Sequence, residues 1–103
     1  MKELFTINND KYSLQYNMNI VSRIEQTLNC SIPYLISKGV YNSRQLQTML
    51  AFGLVDSEGK HISIKTAMTI AGKLIAENKE SIKRMVVGTI VTDIPFTVKG
   101  GGD

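Results

Sequence analysis

The chain has 103 residues, 43% of them hydrophobic and 20% charged, which is enough for one compact core and too little for two. Twelve Lys and Arg against nine Asp and Glu leave a net charge of +3, short of the basic excess of a dedicated nucleic-acid binder. The single cysteine, Cys30, cannot close an intrachain disulfide, MKELFTINND lacks the apolar segment of a secretory signal, and no apolar run approaches the ~18–20 residues of a membrane span, so a cytoplasmic protein is expected.

Residues 3–7 (ELFTI) and 11–16 (KYSLQY) are short runs of aromatic and branched residues joined by Asn8, Asn9 and Asp10, which favour turns, and together they predict a β-hairpin. Strand alternation puts Tyr12, Leu14 and Tyr16 on one face, and helices must cover it, because an isolated hairpin is marginal in water. Asn17 can cap a helix over residues 18–29, with Ile20, Val21, Ile24 and Leu28 at helical spacing. Ser31, Pro33 and Gly39 bracket a short helix at 32–38. Ser43 opens a third helix carrying Leu46, Met49, Leu50 and Phe52 to about residue 53, and DSEGK at 56–60 reads as a turn around Gly59.

Ser63 caps a fourth helix whose stripe is Ile64, Ala67, Met68, Ala71, Leu74 and Ile75, ending near Asn78. Beyond Lys79 the signal divides. Ile82, Met85, Val86 and Ile90 have helical spacing, whereas VVGTIVT is a branched run that also suits a strand; a helix to about residue 92 is the reading adopted. Pro95 disfavours helix at Ile94, and KGGGD has no side chains to offset the entropy of ordering. The expectation is a single α+β domain over residues 1–98, an N-terminal β-hairpin packed on four to five helices, with a flexible Gly-rich tail at 99–103.

Catalysis or metal binding needs several titratable groups to converge, and the chain has one histidine. His61, next to the DSEGK turn, reads as a solvated loop residue. Cys30 reads as a small buried hydrophobe, and Glu25, Glu77 and Glu80 as surface carboxylates. Gly100, Gly101 and Gly102 lack the strand before and the GK[ST] helix start after that a phosphate cradle requires. No catalytic, cofactor-binding or metal site is predicted, and the chain is not expected to be an enzyme. The second and third helices, joined through Gly39, suggest a helix-turn-helix in which Arg44, Gln45, Gln47 and Thr48 face a groove. One basic residue in the third helix leaves DNA binding the lesser alternative. Lys73, Lys79, Lys83 and Arg84 interleave with Glu77 and Glu80, a pattern for a charge-balanced solvent face.

More informative is apolar surface in excess for so small a body. Ile70 lies off the fourth helix's stripe, and Met85, Val86, Val87, Ile90 and Val91 leave no consistently polar side. These groups either close the core or form an interface, for self-association or for another chain's apolar helix. The interface expected comprises Met68, Ile70 and Leu74 with Met85, Val86 and Ile90. Met18, Met49, Met68 and Met85 suit either role.

The order of these features resembles the small tail assembly chaperones of long-tailed phages and prophages. The resemblance spans about residues 4–92 and rests on FTINNDKYSLQY, IVSRIEQTLNCSI, SRQLQTMLAFGLV and ISIKTAMTIAGKLI, above all on Ile24-Glu25 leading through Leu28 to Ser31-Ile32 and on LxxMLAFGL at 46–54. It implies a non-enzymatic protein of the host cytoplasm that coats the aggregation-prone tape-measure protein and brings tail-tube subunits to it. Such proteins often also occur in a longer, frameshifted form, and Lys99 followed by Gly100 to Gly102 is compatible with a slippery coding run. No binding residue is carried over from the family.

Overall fold

A computed structural model describes residues 4–7 and 9–94. Strands β1 (Leu4–Ile7) and β2 (Asp10–Leu14) form the expected antiparallel hairpin, in register from Leu4↔Ser13 to Ile7↔Asp10. Asp10, expected in the turn, therefore opens β2, and Asn9 takes the left-handed conformation (φ 71°) that asparagine tolerates. Leu14 and Tyr16 are buried and Tyr12 half-buried on the face the alternation selected.

Four helices follow: α1 (Met18–Leu28), α2 (Ile32–Lys38), α3 (Ser43–Gly53) and α4 (Ile64–Asp93). Each begins where a side chain satisfies an amide that the helix itself leaves unpaired, a contact worth about 1 kcal/mol. Asn17 Oδ1 accepts from Ile20 N at 2.8 Å, Ser31 Oγ from Tyr34 N at 3.2 Å and Ser63 Oγ from Thr66 N at 3.4 Å. At α3 the cap is Asn42, one residue before the expected Ser43. Asn42 Oδ1 accepts from Gln45 N at 2.7 Å while Gln45 Oε1 accepts from Asn42 N at 3.0 Å, a reciprocal box. Gly39 (φ 71°) ends α2 as expected. Glu25, expected to be a surface carboxylate, is half-buried, and its Oε2 accepts from Ile32 N at 2.8 Å, tying α1 to the start of α2.

The divided signal after Lys79 resolves as helix. Val86 and Ile90 turn inward, and the hydroxyls of Thr89 and Thr92 donate to the carbonyls of Met85 and Gly88 at 2.8 Å, so both threonines are satisfied inside a helix. The break expected near Asn78 appears as a kink within α4. Asn78 is extended (φ −161°, ψ 82°) and its Oδ1 accepts from Ser81 N at 3.1 Å, capping the second half of the helix from inside.

One strand was not expected. β3 (Leu54–Val55) leaves α3 directly and pairs antiparallel with β2, Leu14↔Leu54 and Ser13↔Val55, giving the sheet order β1-β2-β3. Val55 also bridges to His61 across the polar turn. There Asp56 Oδ1 accepts from Glu58 N and Lys60 N at 2.9 and 3.0 Å, and Gly59 is left-handed (φ 81°). Two residues are too few to show strand alternation.

The core runs between the sheet and the helices. α3 packs most extensively on α4 and next on α1, and Leu14, Ile24, Ile32, Leu46, Met49 and Ile90 have no exposed surface. Each such side chain contributes about 1.5–3 kcal/mol of burial. Tyr16 forms the joint between β2, α3 and the end of α4. Its phenol donates to Met49 O at 2.8 Å and its amide to Asp93 Oδ2 at 2.9 Å, while Gly53 lies against the ring so closely that a β-carbon would overlap Cζ and Cε1. Burial pushes the Tyr16 phenol far above its ordinary pKa of 10.0, and the carboxylate of Asp93 adds to the rise. Pro95 and the tail expected at 99–103 lie outside the described residues.

Candidate partner-binding surface

The six residues expected to form an interface do not lie together on an exposed face. Ile70 is 7% exposed and Val86 and Ile90 are fully buried, while Met68, Leu74 and Met85 are half-buried against the core. This corrects the expected surface, and the cause is a small rotation of α4. Ala67, Ile70 and Ala71 form the inward line of its first half, and Ile64, assigned to the stripe, is 38% exposed. α3 fixes this rotation. Gln47 Nε2 donates to Met68 O at 2.8 Å, an approach permitted by Gly72, where a β-carbon would sit 3.3 Å from that nitrogen. In the second half Ile82, Val86 and Ile90, spaced by four, turn to the core.

The groove-facing row expected of a helix-turn-helix is dispersed as well. Gln45 is held in the cap of α3, Gln47 binds the α4 backbone and Thr48 is buried, leaving Arg44 exposed. The expected surface residues are better placed. His61 is exposed, with Nε2 2.9 Å from Gln15 O, and Glu77 and Glu80 are exposed on α4. Cys30 is half-buried against the core. Among the described residues no group of three or more His, Cys, Asp or Glu is placed to hold a metal ion, and no helix is long and apolar enough to cross a membrane.

A different apolar surface is open. Gly39 ends α2, the chain extends through Val40 and Tyr41, and Asn42 caps α3, so Val40 points outward at 70% exposure while Tyr41 turns in. The second half of α4 passes beside this connection. Ile36, Gly39 and Tyr41 form one wall of a groove of about 370 Å³, and Lys83, Arg84, Val87 and Gly88 the other. Val91 (38% exposed) continues α4 one turn beyond.

Cations flank the groove. Lys83 Nζ lies 5.4 Å from the centroid of the Tyr41 ring, and on α2, outside the groove's lining, Lys38 Nζ lies 5.4 Å from that of Tyr34. Arg84 is exposed. None of the three is paired with a carboxylate among the described residues, nor are the pairs that the Lys73–Arg84 pattern permits formed. Burial pushes the Tyr41 phenol above its ordinary pKa, so the ring under Lys83 stays neutral at physiological pH. The arrangement suits an apolar, anionic guest.

No family model matches the chain, and neither does any curated protein or solved structure.

Proposed function

We propose that this chain is a non-enzymatic tail assembly chaperone of a long-tailed phage or prophage, acting in the host cytoplasm. It self-associates, binds and solubilises the tape-measure protein, and recruits tail-tube subunits to it. Two features support the reading: the hairpin followed by helices matches the element order on which the resemblance rests, and an apolar groove is left uncovered by the described residues. The groove carries the proposal. A chaperone of helices works by reversible burial of apolar area, for which Ile36, Tyr41 and Val87, with Val91 one turn on, supply contacts without any reactive group. A DNA-binding regulator gains no support from α2 and α3, whose candidate side chains are largely committed within the fold.

The test begins with the gene neighbourhood, where a very long helical reading frame should lie immediately downstream, and proceeds to co-expression with the protein that frame encodes. The chaperone should keep that protein soluble and co-purify with it. A tape-measure protein equally insoluble with and without the chain would overturn the reading.

A further inference from the structure

We propose that the groove between the α2–α3 connection and the second half of α4 seats an amphipathic helix of another protein, one whose apolar stripe is flanked by Asp and Glu. The inference deepens the chaperone reading and rests on it for the occupant's being another protein. Its geometry comes from Gly88. Glycine is the least favourable helix-interior residue after proline, yet a β-carbon at Gly88 would meet nothing within 4 Å, so no contact among the described residues calls for it. With Arg84, Val87 and Val91 around it, Gly88 is a notch in an exposed helix face, and a notch lets a second helix set a ridge close to the backbone.

The chemistry of the occupant follows from charge. Ile36, Tyr41 and Val87 require an apolar stripe, and Lys83 and Arg84 in the groove's wall have no carboxylate partner among the described residues. A partner bearing carboxylates beside its stripe supplies both. A second copy docked twofold in this groove would bring the same cations together. A flat bilayer would not enter a recess behind α4, and duplex DNA has no use for an apolar floor.

The experiment uses the full chain and two fluorescein-labelled helical peptides of about 18 residues, or five turns. Both carry Leu at i, i+3, i+4 and i+7, flanked by Glu in one and by Lys in the other, and anisotropy is read at ~0.15 M salt. The Glu peptide should bind about tenfold or more tighter than the Lys peptide. Lys83→Glu with Arg84→Glu should reverse that preference, and Gly88→Leu should abolish binding of both while the circular dichroism melt stays cooperative. Equal binding of the two peptides, or binding unchanged in these variants, would overturn the proposal. So would a failure of both peptides accompanied by binding to phosphatidylserine vesicles or to duplex DNA, or by a dimer that Gly88→Leu dissociates. The co-expression assay with the same variants separates the two claims. Solubilisation that persists in Gly88→Leu would leave the chaperone reading standing without this groove, whereas peptide binding without tape-measure solubilisation would leave the groove without the chaperone.

Discussion

Two glycines mark two regions built on opposite terms. At Gly53, where α3 passes into β3, the buried Tyr16 ring occupies the space a β-carbon would take, and its hydroxyl satisfies Met49 O near the end of α3. At Gly88, in the second half of α4, the same added carbon would stand in open space beside a groove. In the first place the missing side chain is filled by the protein itself. In the second it is filled by nothing among the described residues. A residue type in a sequence therefore carries no functional meaning until its neighbourhood is known: one glycine is explained by packing, and the other leaves a notch that no described residue fills.

The contrast is broken most severely at its closed end. Gly53→Ala would drive Tyr16 out of position, adding overpacking to the loss of a buried hydrogen bond, and should cost roughly 2–5 kcal/mol in urea unfolding. Against a total stability of ~5–15 kcal/mol this threatens folding. In a Tyr16→Leu background the ring is gone, and the same alanine should cost less than ~1 kcal/mol. The double-mutant cycle thus isolates the contact. Equal costs in both backgrounds would mean that Gly53 serves the backbone and not the ring.

The closed region has one flaw. Thr48, in α3 next to Met49, is 1% exposed and its Oγ1 has no hydrogen-bond partner among the described residues. Replacing the hydroxyl by a methyl of similar shape removes a desolvation penalty with little change in packing, so Thr48→Val should raise stability by about 1 kcal/mol. A loss measured in the same urea titration would mean that the hydroxyl is satisfied and that the region has no such flaw.

These differences track what was legible in the sequence. The caps Asn17, Ser31 and Ser63 and the stop at Gly39 depend on residues a few positions apart, and they appear where expected. VVGTIVT was ambiguous because helix and strand place its branched residues equally well until Val86 and Ile90 find a core. The expected interface failed through rotation. Spacing defines an apolar stripe only to about one residue, roughly 100° around a helix, and Ala67 and Ala71 let α3 settle so that Ile70 points inward. The groove joins residues 36–41 to residues 83–88, a long-range pairing with no local signal. Its trace in the sequence is confined to one wall, where Val87 belongs to the excess apolar run and Gly88 interrupts it.

The smallest expected effect is the sharpest test of the comparison. Gly88→Ala places a methyl in open space on a helix whose interior favours alanine over glycine, and it also reduces the freedom of the unfolded chain. The fold should therefore gain about 0.5–1 kcal/mol, a rise in Tm of roughly 2–8 °C for a domain of this size. A stabilised variant would establish that the fold does better without this glycine, so that the notch must be explained by what docks there. A destabilised one would mean that another part of the molecule closes over Gly88, and the two glycines would then follow one rule.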